Sequence, residues 1–87
     1  MIHRIVKMHF LPEKINEFQE IIKASNQRIR NFPGCKSLTI LRDIHNENIF
    51  FTLSTWENEQ ALETYRASGL FNETWANTKK LFAKKAE

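Results

Sequence analysis

An α+β domain, with an antiparallel sheet covered by helices on one face, is what this 87-residue sequence predicts. Three observations lead there. Apolar residues alternate at period two in the opening segment, a longer stretch after it repeats them at three- and four-residue steps, and two further strand-like segments meet across a short polar turn. Length adds a bound, because a chain this short supports one core and not two. A single domain over residues 1–87 is expected.

From Ile2 to Phe10 the alternation places Ile2, Arg4, Val6, Met8 and Phe10 on one side of a strand and His3, Ile5, Lys7 and His9 on the other. Pro12 suits the first turn of a helix. Ile15, Phe18, Ile22, Ser25 and Ile29 then form a narrow buried stripe, which predicts a helix over about residues 12–30. Phe32, Pro33 and Gly34 stop it, since proline disfavours helical continuation and glycine accepts backbone angles that other residues resist. A second strand follows over Cys35–Arg42, then the polar turn Asp43–Asn48, then a third strand over Ile49–Trp56 rich in aromatic and β-branched residues. The two strands read as an antiparallel hairpin.

Asn58 is placed to cap a short helix through Ala67, with Ala61, Leu62 and Tyr65 facing inward. Ser68 and Gly69 interrupt it. A last helix then sets Phe71, Trp75, Thr78 and Phe82 along one stripe with Leu81 beside it, running toward Lys85. Lys79, Lys80, Lys84 and Lys85 would complement the dipole at its end, which accounts for much of the net charge of +3.

This order is that of a split βαβ, ferredoxin-like fold without its final strand. The expectation is therefore a chain either truncated before a fourth strand or closing its assembly with fewer strands. Ile49, Phe51 and Leu53 have the opposite parity to Phe50, Thr52, Ser54 and Trp56, so the third strand is apolar on both faces. One layer of helices covers only one face. The simplest cover for the other is a second copy, giving a homodimer through the face that bears Ile5, Phe51 and Leu53.

Several functional classes are disfavoured by what is missing. No apolar run approaches the roughly 18 residues of a membrane span, and the start MIHRIVKMHF lacks the apolar region and cleavage site of a secretory signal. A cytoplasmic location with no membrane partner is expected. The lone Cys35 cannot form an internal disulfide and reads as a small packed hydrophobe. His3 and His9 lie near the expected dimer seam and His45 in an exposed turn, with no carboxylate or thiol at ligand spacing, so no metal site is expected. The third strand carries neither the basic-glycine start nor the aromatic spacing of an RNA-recognition sheet, so nucleic acid is not an expected partner. Arg4, on the same face as Val6 and Met8, must reach solvent at the sheet edge or meet an anion, and reaching solvent is the expectation.

The segment Phe51–Phe71, in which a strand ends in Trp56, a helix containing Ala61 follows, and Ser68-Gly69 precedes a helix bearing Phe71, resembles domains of the antibiotic biosynthesis monooxygenase family. Asn31-Phe-Pro-Gly-Cys-Lys-Ser-Leu38 is similar to that family's helix stop and strand start. The resemblance implies a dimeric α+β barrel with a pocket between each sheet and its helices. It also implies a reaction class, because some members oxygenate aromatic polyketides or quinols without metal, flavin or haem, using the substrate's own carbanion to activate oxygen. Other members degrade haem.

Trp56 matches the family Trp that lines the oxygenase pocket. The family's Asn four residues earlier is Thr52 here, which keeps a hydrogen-bond donor but loses the amide geometry. The Asn, Trp and His of the haem-degrading branch fall on Val6, Tyr65 and Trp75, and an indole has no lone pair with which to ligate iron. Haem degradation is therefore not expected. The expected pocket for a flat aromatic ligand comprises Thr52, Trp56, Tyr65, Trp75 and Val6, with no catalytic residue assigned and no cofactor. Two functions fit that reading: a cofactor-free monooxygenase-like enzyme for a quinol or polycyclic phenol, and a non-catalytic dimeric protein that binds a small molecule or has an accessory or stress role.

Overall fold

The computed structural model describes all 87 residues. Its elements run β1 (Ile2–Phe10), a 3-10 turn (Pro12–Lys14), α1 (Ile15–Arg30), β2 (Cys35–Arg42), β3 (Ile49–Trp56), α2 (Glu59–Arg66), α3 (Gly69–Lys79) and β4 (Phe82–Lys84). The strands form one antiparallel sheet in the order β2-β3-β1-β4. This is the complete ferredoxin-like arrangement, with β1 and β3 at the centre. No helix is long and apolar enough to cross a membrane.

The expected absence of a fourth strand is thus corrected. The last helix ends at Lys79, and Phe82 and Lys84 pair with Phe10 and His9 of β1. Pairing continues beyond it, since Lys7 and Glu87 exchange both backbone hydrogen bonds, at 2.8 and 2.9 Å. Phe82 lies four residues after Thr78, so it mimics another helical position, while adjacent apolar Leu81 and Phe82 hide the alternation of a three-residue strand. The correction also redistributes the lysines. Lys79 alone occupies the last turn of α3, whereas Lys84 is on β4 and Lys85 follows it.

Side-chain parity decides which residues meet the helices. In β1 the even positions Val6, Met8 and Phe10 are buried, and in β3 so are Phe50, Ser54 and Trp56. Register brings Arg4 opposite Ser54, Val6 opposite Thr52 and Met8 opposite Phe50. Leu38 and Ile40 of β2 extend the Ser54 and Thr52 rows.

The core under the helices is divided. One cluster gathers Val6, Met8, Phe10, Ile15, Phe18, Phe50 and Leu81, and within it the Phe10 and Phe18 rings stack at 4.2 Å. A second gathers Ile29, Trp56 and Tyr65, with Trp56 stacked on Tyr65 at 4.7 Å and Phe32 edge-on to both. Local signals hold the helices in place between them. The Asn58 side chain accepts from the Ala61 amide at 2.8 Å, and the Ser68 hydroxyl accepts from the Phe71 amide at 3.1 Å, each satisfying a donor that a helix start leaves unpaired.

Gly34 makes the tight join between α1 and β2. Its φ is +87°, a left-handed conformation, its carbonyl accepts from the Glu57 amide at 2.8 Å, and a Cβ there would collide with the Ala61 methyl group. Gly69 has no such constraint, because a methyl group added to it would meet nothing within 4 Å. Gly34→Ala is therefore expected to destabilise the fold by about 2 kcal/mol or more, from αL strain plus overpacking. Gly69→Ala should leave stability unchanged or raise it by up to about 1 kcal/mol. Urea unfolding of the two variants beside the parent measures both.

Candidate functional site

A cavity of about 50 Å³ lies between the two core clusters and takes walls from both. The sheet supplies Arg4, Met8, Leu38, Ile40, Thr52, Ser54 and Trp56. The opposite wall is Phe18, Ile22 and Ile29 of α1, Tyr65 of α2, and Phe71, Thr74, Trp75 and Thr78 of α3. One water needs roughly 10–15 Å³ of such space, so the cavity exceeds a single water several-fold. It is below the roughly 300–1,000 Å³ typical of clefts for drug-sized ligands. A ligand with several fused rings would require α3 to move.

Thr52, Trp56, Tyr65 and Trp75, named from sequence, all line this space. Val6 does not. It shares their side of the sheet, but it is shorter than its same-face neighbours Arg4 and Met8 and packs into the larger core cluster instead. Ile5, Phe51 and Leu53 lie on the other side of the sheet, where Ile5 is 64% exposed.

Hydrogen bonding separates the groups that are already occupied from those that are free. Trp56 is fully buried and its indole N–H donates to the Ser54 hydroxyl at 3.0 Å, so this Trp offers the cavity a ring face and no donor. The Thr78 hydroxyl donates to the Thr74 carbonyl at 2.7 Å. Thr52 and Tyr65 differ: neither hydroxyl makes a hydrogen bond within the protein. A buried tyrosine ordinarily finds a partner for its O–H. Burial pushes the Tyr65 pKa up, against an opposing pull from Arg4, so at neutral pH Tyr65 is a protonated donor.

Arg4 departs from the sequence expectation that it would extend to solvent. Its guanidinium lies over the Phe71 ring, 5.6 Å from the centroid, and lines the cavity half-buried. The protein's ion pairs are Lys7 with Glu87, Lys14 with Glu17, and Arg66 with Glu63; none involves Arg4. Desolvation lowers its pKa, Tyr65 counters this, and the like charge of Arg66 adds to the lowering. A cation–π contact contributes about 0.5–2 kcal/mol, less than the several kcal/mol that withdrawing an ion from water costs.

No Asp, Glu, His or Cys side chain lines the cavity. The site can therefore donate hydrogen bonds and hold a positive charge, but it has no side chain suited to removing a proton at neutral pH. Nor do three His, Cys, Asp or Glu residues come together anywhere in a metal-ligand grouping. Cys35 is partly buried, with its thiol donating weakly to the Ser37 carbonyl at 3.5 Å and its pKa raised by burial, which suits a packing role. A wider, open groove of about 260 Å³ beside Gly34 mixes Pro33 and Ala61 with polar side chains, and Asn58 there is engaged in capping α2.

The family model for antibiotic biosynthesis monooxygenase matches residues 1–77. The chain belongs to the antibiotic biosynthesis monooxygenase family. Among solved structures, this family member is similar to a conserved protein from Methanosarcina mazei Go1, with 26% identity, 98% of this chain and 85% of that one covered, and a TM-score of 0.92. It also superposes on a structure described as an antibiotic biosynthesis monooxygenase, at 17% identity and a TM-score of 0.93, with 100% and 92% of the two chains covered. A conserved protein from Bacteroides thetaiotaomicron VPI-5482 shares the fold at 16% identity and a TM-score of 0.87, covering 98% and 90%. No functionally curated protein matches the chain.

Eleven of the fifteen lining residues were not expected at the site, Arg4, Ser54 and Thr74 among them. Ser54 shares the parity of Thr52 and Trp56, a visible signal, yet its role as acceptor for the Trp56 indole depends on side-chain rotamers. Thr74 is one residue before Trp75, and its placement on the cavity wall depends on the rotation of α3.

Proposed function

We propose that this family member is a cofactor-independent, monooxygenase-like enzyme acting on a quinol or phenol held between the sheet and the helices. The observation that carries this reading is the cavity itself: aromatic walls, two unengaged hydroxyls at Thr52 and Tyr65, and one cation. A flat phenolic ring fits against Trp56 and Trp75, and Tyr65 donates a hydrogen bond to the oxygen on which negative charge develops. The volume favours a single ring over a polycyclic one.

Oxygen chemistry then falls to the substrate anion. With a quinol, two electrons and two protons pass to O₂, giving the quinone and hydrogen peroxide. Where the ring bears a CH₂ activated by a para hydroxyl, one oxygen atom becomes the carbonyl and the other leaves as water. The protein's contribution is to stabilise the anion and exclude bulk water. With no carboxylate or imidazole at the cavity, ionisation belongs to the substrate, so the rate should rise with pH through the substrate's own pKa and show no rising limb from an enzymic base.

The missing base also favours a second reading, a binding protein without turnover. Oxygen uptake with 1,4-dihydroxybenzene, corrected for autoxidation, separates the two. Under the enzymatic reading Tyr65→Phe lowers kcat by about 10- to 100-fold, the worth of one hydrogen bond to a charged oxygen. Uptake no faster than the buffer background, or identical in Tyr65→Phe, contradicts it.

The homodimer belongs to the same proposal. The helix-free face of the sheet carries Ile5, 64% exposed, and Leu41, 48% exposed, beside half-buried Phe51 and Leu53. Such an apolar sheet face is best covered by its own copy about a twofold axis. Cytoplasmic location accords with a chain whose single cysteine is free. Phe51→Asp is expected to convert dimer to monomer or aggregate in sedimentation velocity, and a parent protein that is monomeric at micromolar concentration would overturn the dimer.

A further inference from the structure

The guanidinium of Arg4 is a half-buried cation on the wall of a mainly apolar cavity, and the protein supplies it with no anion. Its partner is the face of Phe71, 5.6 Å away. Across the sheet its register neighbour is Ser54, a neutral hydroxyl that accepts from the Trp56 indole N–H. On α2, the helix that carries Tyr65, the acid Glu63 pairs instead with Arg66 at 3.4 Å, where both side chains are exposed. Of the two groups that act on Arg4, Tyr65 is protonated at neutral pH and Arg66 has the same sign, so neither supplies a counter-charge.

An arginine cannot relieve such burial by giving up its proton under ordinary conditions. Natural interiors pair buried charges. A single Arg left unpaired beside an unengaged phenolic O–H is an incomplete ion pair, and the missing half is an acceptor with negative charge. The guanidinium fork is planar and matches a carboxylate through two parallel N–H donors. The rest of the cavity, lined by Phe71, Trp75 and Trp56, matches a ring.

We infer that the cavity takes a small aromatic carboxylate, with its carboxylate on Arg4 and its ring between the sheet and α3. This deepens the reading of the cavity as the substrate site and rests on it. It also names what the proposed reaction needs, a ligand brought in by charge at a site that has no base, with the ring hydroxyls left toward Thr52 and Tyr65. Arg4 is accordingly a binding and specificity residue.

The probes are 2,5-dihydroxybenzoate, its methyl ester and 1,4-dihydroxybenzene, which share the quinol and differ in the carboxylate. Binding is read by isothermal titration calorimetry at pH 7 to the full-length protein, to Arg4→Met and to Arg4→Lys, each checked for native circular dichroism. The parent should bind the carboxylate at least about tenfold more tightly than the ester. Arg4→Met should abolish that preference while keeping affinity for the ester, and Arg4→Lys should retain part of it. Equal binding of all three probes, or a preference that survives in Arg4→Met, overturns the carboxylate inference but leaves the cavity as a quinol site. Binding of none overturns both.

Discussion

Strict alternation along β1 and β3 is the constraint from which the rest of this molecule follows. Because successive residues of a strand take opposite faces, the even positions of both central strands must lie under the helices and the odd positions must lie away from them. The even set is unusual in composition. It contains Val6, Met8, Phe10, Phe50 and Trp56, but also Arg4, Thr52 and Ser54. A shift of one residue in the β1–β3 register would expose Met8 and Phe10, so the polar members are held inside by their apolar neighbours. Polar groups in the middle of the sheet divide the core into two clusters, and the cavity occupies the division.

That division creates a site in which rigidity and availability are separated. Trp56 is stacked on Tyr65, edge-on to Phe32 and bonded to Ser54, leaving it no freedom to respond to a ligand. Thr52, the Tyr65 hydroxyl and Arg4 are on the same walls with no hydrogen-bonding or ionic partner of their own. Trp75 stands between, stacked parallel to Phe71 at 6.0 Å and edge-on to Phe82 at 5.7 Å, so the aromatic chain reaches from the cavity to β4. The C-terminal strand thus contributes to the site indirectly, through the ring that supports Trp75.

Most of this architecture was legible because it depends on period. Alternation defined β1, three- and four-residue steps defined α1, and the Asn58 cap and the Ser68-Gly69 interruption marked where α2 and α3 begin. β4 escaped because three residues are too few to establish a period, and because the step from Thr78 to Phe82 is equally a helical one. The cavity was legible to the extent that parity specifies facing: Thr52, Trp56, Tyr65 and Trp75 share a layer and meet in space. Parity cannot report reach, which is why Val6 was expected on the wall and lies in the packed cluster. It also cannot report pairing. That Arg4 would fold over Phe71, rather than extend to the solvent at the sheet edge, depends on the position of α3 and on no local pattern in β1.

Amide and side-chain spectra of nitrogen-15-labelled protein test most directly whether the divided core is a ligand site organised by Arg4 and Tyr65. On titration with 2,5-dihydroxybenzoate at fixed pH, the Arg4 Nε–H and the Trp75 indole N–H should shift saturably, while the amides of the exposed hairpin turn around Ile44 stay in place. Absence of any saturable shift at the cavity, or shifts confined to the open sheet face or to the groove beside Gly34, would contradict the account.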